Sequence, residues 1–146
     1  RPPAISTTGA GEASIARICA RLEKNGFAGY TSGPAQTLSV GLAPELPAAQ
    51  RAGREIEAQS ARGVASFGRG VCGPAPSTLD RLTEIAAPAL VLVGALDTGY
   101  MRAAEVMTAR ISGAKSVTIP EAGHCVNIEQ TDAFNRAVLG FLAARA

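Results

Sequence analysis

The sequence contains no tryptophan, and aromatic residues of all kinds amount to only 4%. A core must therefore be built mainly from Ala, Val, Leu and Ile, within an apolar share of 47% over 146 residues. That share belongs to a globular chain rather than a disordered one, and the length suits one domain. Histidine occurs once, at His124, which excludes a multi-histidine metal site within the chain. Cysteine is scarce as well: Cys19, Cys72 and Cys125 are odd in number and form no C-x-x-C pair. Neither a disulfide framework nor a metal clip follows, and a reducing, cytoplasmic setting is expected. The formal charge of +2 is close to balance, and the Arg residues are scattered. Nucleic acid is therefore not an expected partner. No apolar run approaches the roughly 18 residues of a membrane span, so no membrane contact is expected either. Arg1-Pro2-Pro3 carries neither Met nor the apolar segment of a secretory signal. Residue 1 reads as an interior point of a longer chain.

What is present falls into two parts. Residues 1–12, rich in Pro, Gly, Ser and Thr, read as a loop. Ile15, Ile18, Cys19 and Leu22 recur at i, i+3, i+4 and i+7 and predict one buried face of a helix stopped by Asn25-Gly26. Residues 27–46 keep no period and read as loop with a short helical turn. Pro47 suits a first helical turn, and the run to about Ser60 continues it, with too thin an apolar stripe to stand alone. Residues 61–76 hold six glycines and prolines and give no clear pattern. Ser77, with Asp80 three places on, resembles a capping box ahead of Leu79, Leu82 and Ile85.

From Pro88 the pattern changes. Ala89-Leu90-Val91-Leu92-Val93, ending at Gly94, is the signature of a strand buried on both faces of a parallel sheet. A helix is expected from Met101 to Ile111, then a strand at Ser116–Ile119, then a last helix from Thr131 with Asp132 in its first turn. The buried stripe of that helix is expected to be Phe134, Val138, Phe141 and Leu142. Strand, helix, strand, helix is an α/β order, and the crossover rule makes the two strands parallel neighbours. Two strands are not a domain. The edge of such a sheet needs covering by a missing N-terminal core or by another chain.

In parallel sheets, reactive groups gather where strands end and helices begin. Asp97 follows the first strand after Gly94-Ala95-Leu96, and His124 follows the second after Pro120-Glu121-Ala122-Gly123. Adjacent parallel strands bring both to one edge. A carboxylate bonded to one ring nitrogen fixes the tautomer and stabilises the imidazolium formed when the other nitrogen takes a proton. The alternative for Asp97 is to cap the Met101 helix. Cys125 reads as a small apolar residue rather than a reactive thiol. Glu129 reads as a support for the histidine loop or the last helix. Arg69 and Tyr100 could line a substrate pocket, but read rather as a surface residue and a half-buried one.

These residues, taken in order, resemble the last stretch of an α/β-hydrolase. The acid loop (G-x-x-D) matches at Asp97 and the histidine loop (A-G-H) at His124, with Glu129 following and Thr131 where the family usually has proline. The match covers about residues 80–146, the C-terminal part of the core. The helical, loop-rich residues 1–79 resemble the lid inserted before the acid strand. Within the family, Arg21-Leu22-Glu23-Lys24-Asn25-Gly26, the Pro76–Leu82 stretch and Gly94–Met101 are similar to the menaquinone-pathway synthase group that eliminates pyruvate. Leu79, Gly99 and Asn127 depart from that group, which tends to have Trp, Lys and a second His there. The resemblance implies a catalytic triad with Asp97 as acid and His124 as base, a small-molecule substrate and no metal or cofactor.

A nucleophile is not legible. The family's Ser sits at the centre of G-x-S-x-G on a turn between strand and helix. No Ser or Cys here has glycine two places away on both sides. Gly29-Tyr30-Thr31-Ser32-Gly33 comes nearest, but it has Thr at the centre and follows a helix. Two functions from different classes remain. One is a serine-dependent α/β-hydrolase cleaving an ester, lactone or related bond (or a lyase of the same fold), with this chain inactive alone. The other is a truncated, non-catalytic binding protein.

Overall fold

A computed structural model describes residues 10–27 and 36–144. The expected loop over residues 1–9 and the Gly29–Gly33 stretch lie outside the described residues. Helix α1 (Ala10–Asn25) begins earlier than expected and takes in residues 10–12. Cys19 and Leu22 are buried on it at 2% exposure each, with Ile15 packed beside them. Ile18 instead stays 44% exposed. At 3.6 residues per turn it lies about 100° from Cys19, past the rim of the buried stripe. Gly26 ends the helix at φ +62°, donating its N–H to the Leu22 carbonyl at 2.8 Å.

The short turn expected within 27–46 is α2 (Gln36–Ser39). Helix α3 (Pro47–Glu57) starts at its proline and buries only Ala49 and Gly53, with Ile56 resting on the Cys19 cluster. The unclear stretch 61–76 contains α4 (Ala61–Phe67), followed by a π-helical turn over Gly68–Cys72. Ser60 caps α4 by accepting the Gly63 N–H at 3.1 Å. Ala65 is fully buried against α1, and Gly68 comes so close that a Cβ there would stand 2.6 Å from Cys19 Sγ. Glycine is what lets the two elements approach. Arg69 grips Glu23 through both guanidinium ends, joining the π turn to α1. That bond holds the Glu23 carboxyl below its ordinary range and raises the guanidinium.

The expected capping box does not form. Leu79–Glu84 is a 3-10 helix whose N-cap, Thr78, makes no side-chain bond, and Asp80 pairs with Arg110 at 3.3 Å. Ser77 Oγ reaches only the Leu79 N–H, at 3.4 Å. With three residues per turn, Leu79 and Leu82 fall on one side, whereas Ile85 lies beyond the helix and is 37% exposed.

Strand β1 (Leu90–Gly94) and β2 (Lys115–Ile119) pair in parallel from Leu90 opposite Lys115 to Gly94 opposite Ile119. Helix α5 (Met101–Arg110) connects them. It covers the Val91 and Val93 side of β1 through Ala104, Met101 and Met107. The opposite side, Leu92 and Val117, meets Ile119, Ala122, Val126 and Phe134. That side is only half-buried at Leu90 and Leu92, so β1 is not enclosed equally on both faces. Helix α6 (Val126–Glu129) was not expected, and α7 (Thr131–Ala143) starts at the expected residue.

The expected stripe of α7 is met in part: Phe134, Val138 and Phe141 share its half-buried face, whereas Leu142 does not. No residue of α7 is fully buried, and Leu142 is 56% exposed, with Leu139 beside it at 64%. Two strands give a helix of 13 residues little to lie on, and Ala133 and Phe134 are its residues that pack on the Ile119 cluster. Fully burying a Val, Leu or Ile contributes about 1.5–3 kcal/mol. The three small clusters therefore hold the elements, and the exposed ion pairs add little. No helix among the described residues is long and apolar enough to cross a membrane.

Candidate active site

The acid and histidine loops are fastened to each other before either side chain is considered. Where β1 ends, Ala95 donates its N–H to the Ile119 carbonyl at 2.9 Å, and Leu96 donates to Ala122 at 2.8 Å. Gly94 lies directly against the second loop, since a Cβ there would fall on the carbonyl oxygens of Gly123 and Ala122. Ala122 is completely buried, and Glu121 turns the chain at φ +55°, the one non-glycine residue at positive φ among those described. That conformation is unusual outside glycine, and its occurrence in the turn before a histidine fits a site whose backbone is over-determined.

This arrangement brings together the two residues singled out from sequence. His124 Nδ1 and Asp97 Oδ2 are 2.8 Å apart across 27 positions of chain. The Asp97 side chain retains 9% of its area and that of His124 34%. The carboxylate is thus sheltered, and the imidazole faces outward. Asp97 does not use its side chain to cap α5: the N-cap is Tyr100 without a side-chain bond. The backbone carbonyl of Asp97 serves instead, accepting from the Tyr100 and Met101 N–H groups at 3.0 and 3.2 Å. With Nδ1–H donated to the carboxylate, Nε2 carries the lone pair. Such a ring is built to accept a proton.

Tyr100 lines the cavity beside this pair, the less favoured of its two sequence readings. Its ring centroid lies 4.5 Å from that of His124 at an interplanar angle of 44°, and with 48% of its area exposed it is half-buried, as expected. Its position three residues after the acid, opening α5, was the available signal. Beside the pair is a cavity of about 160 Å³, lined by Asp97, His124 and Tyr100 with Gly94, Ala104 and Met107 among the rest. Arg69 is committed to Glu23 and is absent from this lining.

Glu129 supports the histidine loop, as expected. Its Oε2 accepts the Gly123 N–H and its Oε1 the Cys125 N–H at 3.2 Å. Bonds to a charged acceptor contribute about 1.5–3 kcal/mol each, which makes this a firmer brace than the neutral turns around it. Thr131, standing where the family usually has proline, bonds back to the Asn127 carbonyl at 2.8 Å and closes α6.

Cys125 is half-buried, and its thiol is pushed up, first by burial and then by the negative charges of Glu129 and Asp97. The thiolate is the reactive form, so a raised pKa means less nucleophile at any pH below it. Alkylation with iodoacetamide at pH 8 is expected to label the exposed Cys72 first, with Cys125 lagging and catching up only as pH rises further. Peptide mapping over time reads the order; labelling of Cys125 ahead of Cys72 contradicts this environment.

An Asp and a His at the carboxyl ends of adjacent parallel strands, in that chain order, match the arrangement in the C-terminal part of the α/β-hydrolase fold. Comparison with solved structures gives the same class. MenH from S. aureus matches at a TM-score of 0.78 and 26% identity over 91% of this chain and 51% of its own. A hydrolase from Pseudomonas aeruginosa PA01 matches at 0.71 and 29% over 90% and 50%. A thermophilic esterase from Thermogutta terrifontis matches at 0.77 and 24%, over 99% and 52%, a likeness of fold. The chain spans about half the length of these structures. No protein-family model and no curated protein matches it.

Proposed function

We propose that this chain supplies the acid and the base of a serine-dependent α/β-hydrolase that cleaves a carboxylic ester, lactone or related bond. The observation that carries the reading is the 2.8 Å contact between His124 Nδ1 and Asp97 Oδ2, beside an open cavity. In the reaction, His124 Nε2 takes the proton of an attacking serine hydroxyl and later returns it to the leaving group. Asp97 keeps the ring in the tautomer that permits this. The hydrolase at 29% identity and the chain order of acid and histidine support the reaction class. Residues 80–146 form the end of the catalytic core, and residues 1–79 are its lid. The three free thiols suit a reducing, cytoplasmic setting.

In this reading the serine and the oxyanion hole come from sequence outside these 146 residues, because no G-x-S-x-G occurs among them. The test has two arms. The chain alone should show no turnover of p-nitrophenyl esters above background. The protein translated with any open frame upstream of Arg1 should turn over, and His124→Ala should lower kcat by on the order of 10⁴–10⁶-fold. Turnover by the isolated chain that resists serine-directed inhibitors yet dies with His124→Ala would refute the source of the nucleophile.

A further inference from the structure

The Glu129 carboxylate does more than brace its own loop. Besides the Gly123 and Cys125 amides, its Oε1 accepts the N–H of Leu42 at 3.2 Å, a residue 87 positions away on the helical N-terminal part. Three backbone donors from two distant segments therefore end on one side chain. The packing at this point is equally close. Gly41 adopts φ +93°, and a Cβ there would stand 2.6 Å from Glu129 Oε1 and 3.0 Å from its Cγ. Gly123 has its own neighbour across the junction, since a Cβ there would come within 2.8 Å of Leu42 Cδ1. The residue after Gly123 is His124. Hence the segment carrying Gly41 and Leu42, the carboxylate and the histidine loop touch in sequence, with no spare volume at either glycine.

We propose that Glu129 is a positioning residue that couples the Gly41–Leu42 segment to the histidine loop, so that the setting of the His124 ring depends on where that segment sits. The proposal rests on His124 being the base, and it assigns to the N-terminal helical part a share in holding that base. A carboxylate suits the task because it is an acceptor only, with two oxygens able to serve several N–H groups at once. An amide in its place turns an NH₂ group toward donors on one side. Glycine suits position 41 because a side chain would need both the rare positive φ and the space that Glu129 fills.

The chain has one histidine, so its imidazole can be followed by ¹⁵N NMR without assignment ambiguity. In the unaltered chain, the Leu42 amide should exchange slowly with solvent although it lies outside every helix. Glu129→Gln should speed exchange of the Leu42, Gly123 and Cys125 amides together, by roughly tenfold or more. It should also move the imidazole ¹⁵N shifts toward those of a ring exchanging between tautomers. Gly41→Ala should produce the same imidazole change from the other side of the junction, without altering the histidine loop itself. Gly113→Ala is the control, with comparable backbone strain at φ +69° but open space around it, in the turn between α5 and β2. It should leave the imidazole shifts alone.

Exchange that quickens at Gly123 and Cys125 while Leu42 is unaffected would confine Glu129 to its own loop and overturn the coupling. Imidazole shifts unchanged in Gly41→Ala, or changed equally in Gly113→Ala, would overturn it too. If Glu129→Gln does not fold, the Leu42 exchange of the unaltered chain and the Gly41→Ala comparison still decide. No turnover is measured, so failure here leaves the acid–base reading intact. Failure of that reading would show first, as an unaltered chain whose ring has no fixed tautomer.

Discussion

Asp97→Asn is expected to lower kcat of the complete enzyme by about 10⁴-fold while leaving the fold in place. The side chain keeps its volume and stays in a pocket where only 9% of its area is open. What changes is the partner offered to Nδ1 at 2.8 Å. If the new NH₂ group faces the ring, Nδ1 must become the acceptor, the proton moves to Nε2, and the base has no lone pair to use. If the amide oxygen faces it, the tautomer survives, but the imidazolium loses its counter-charge in the transition state. Either outcome removes stabilisation that exists only during reaction, so kcat should fall with little change in KM. The thermal midpoint should move by no more than about 1 kcal/mol of stability, since no cavity is made. A variant that keeps most of its turnover would mean that Asp97 is not the acid; one that unfolds would mean that its role is structural.

Gly94→Ala is expected to have the largest effect on stability. A Cβ at this position meets backbone, the carbonyls of Gly123 and Ala122, and backbone has no rotamer to swing aside. The loops must separate, which breaks the Ala95–Ile119 and Leu96–Ala122 hydrogen bonds that align the acid with the base. Overpacking costs about 1–3 kcal/mol and each lost bond about 1 kcal/mol, for a total of about 3–5 kcal/mol. The comparison is Gly99→Ala, five residues along in the same loop, where a Cβ meets nothing within 4 Å. That change should stay within about 0.5 kcal/mol. Urea unfolding reads both, as a drop in midpoint at constant slope. Equal midpoints for the two variants would mean that the two loops do not touch as described.

The C-terminal half was legible because its signals are local and strong. An unbroken Leu-Val-Leu-Val run ended by glycine reads as a strand of a parallel sheet, and the loop after each strand delivered Asp97 and His124 to one edge. The N-terminal half was harder to read for a physical reason. Helix α4 is short and contains Gly63, and it is held by Ala65 and the following Gly68 fitting against α1, a contact that no periodicity records. The capping box at Ser77 had the right spacing, yet a 3-10 helix forms there and Asp80 turns to Arg110. The α7 stripe had the right period, but periodicity marks a face without showing how much sheet lies beneath it. Within the site, Glu129 was readable as a support for its loop, whereas its bond to Leu42 depends on tertiary approach. Tyr100 was visible in sequence, but nothing there aimed its ring at the imidazole.

The most direct measurement is the ¹⁵N spectrum of the sole imidazole in the unaltered chain at about pH 9, where an ordinary imidazole is neutral. A proton resident on Nδ1, held against a carboxylate, gives one pyrrole-like signal there and one pyridine-like signal at Nε2. Two averaged signals, or the proton on Nε2, would mean that Asp97 and His124 are not the pair from which the proposed chemistry is derived.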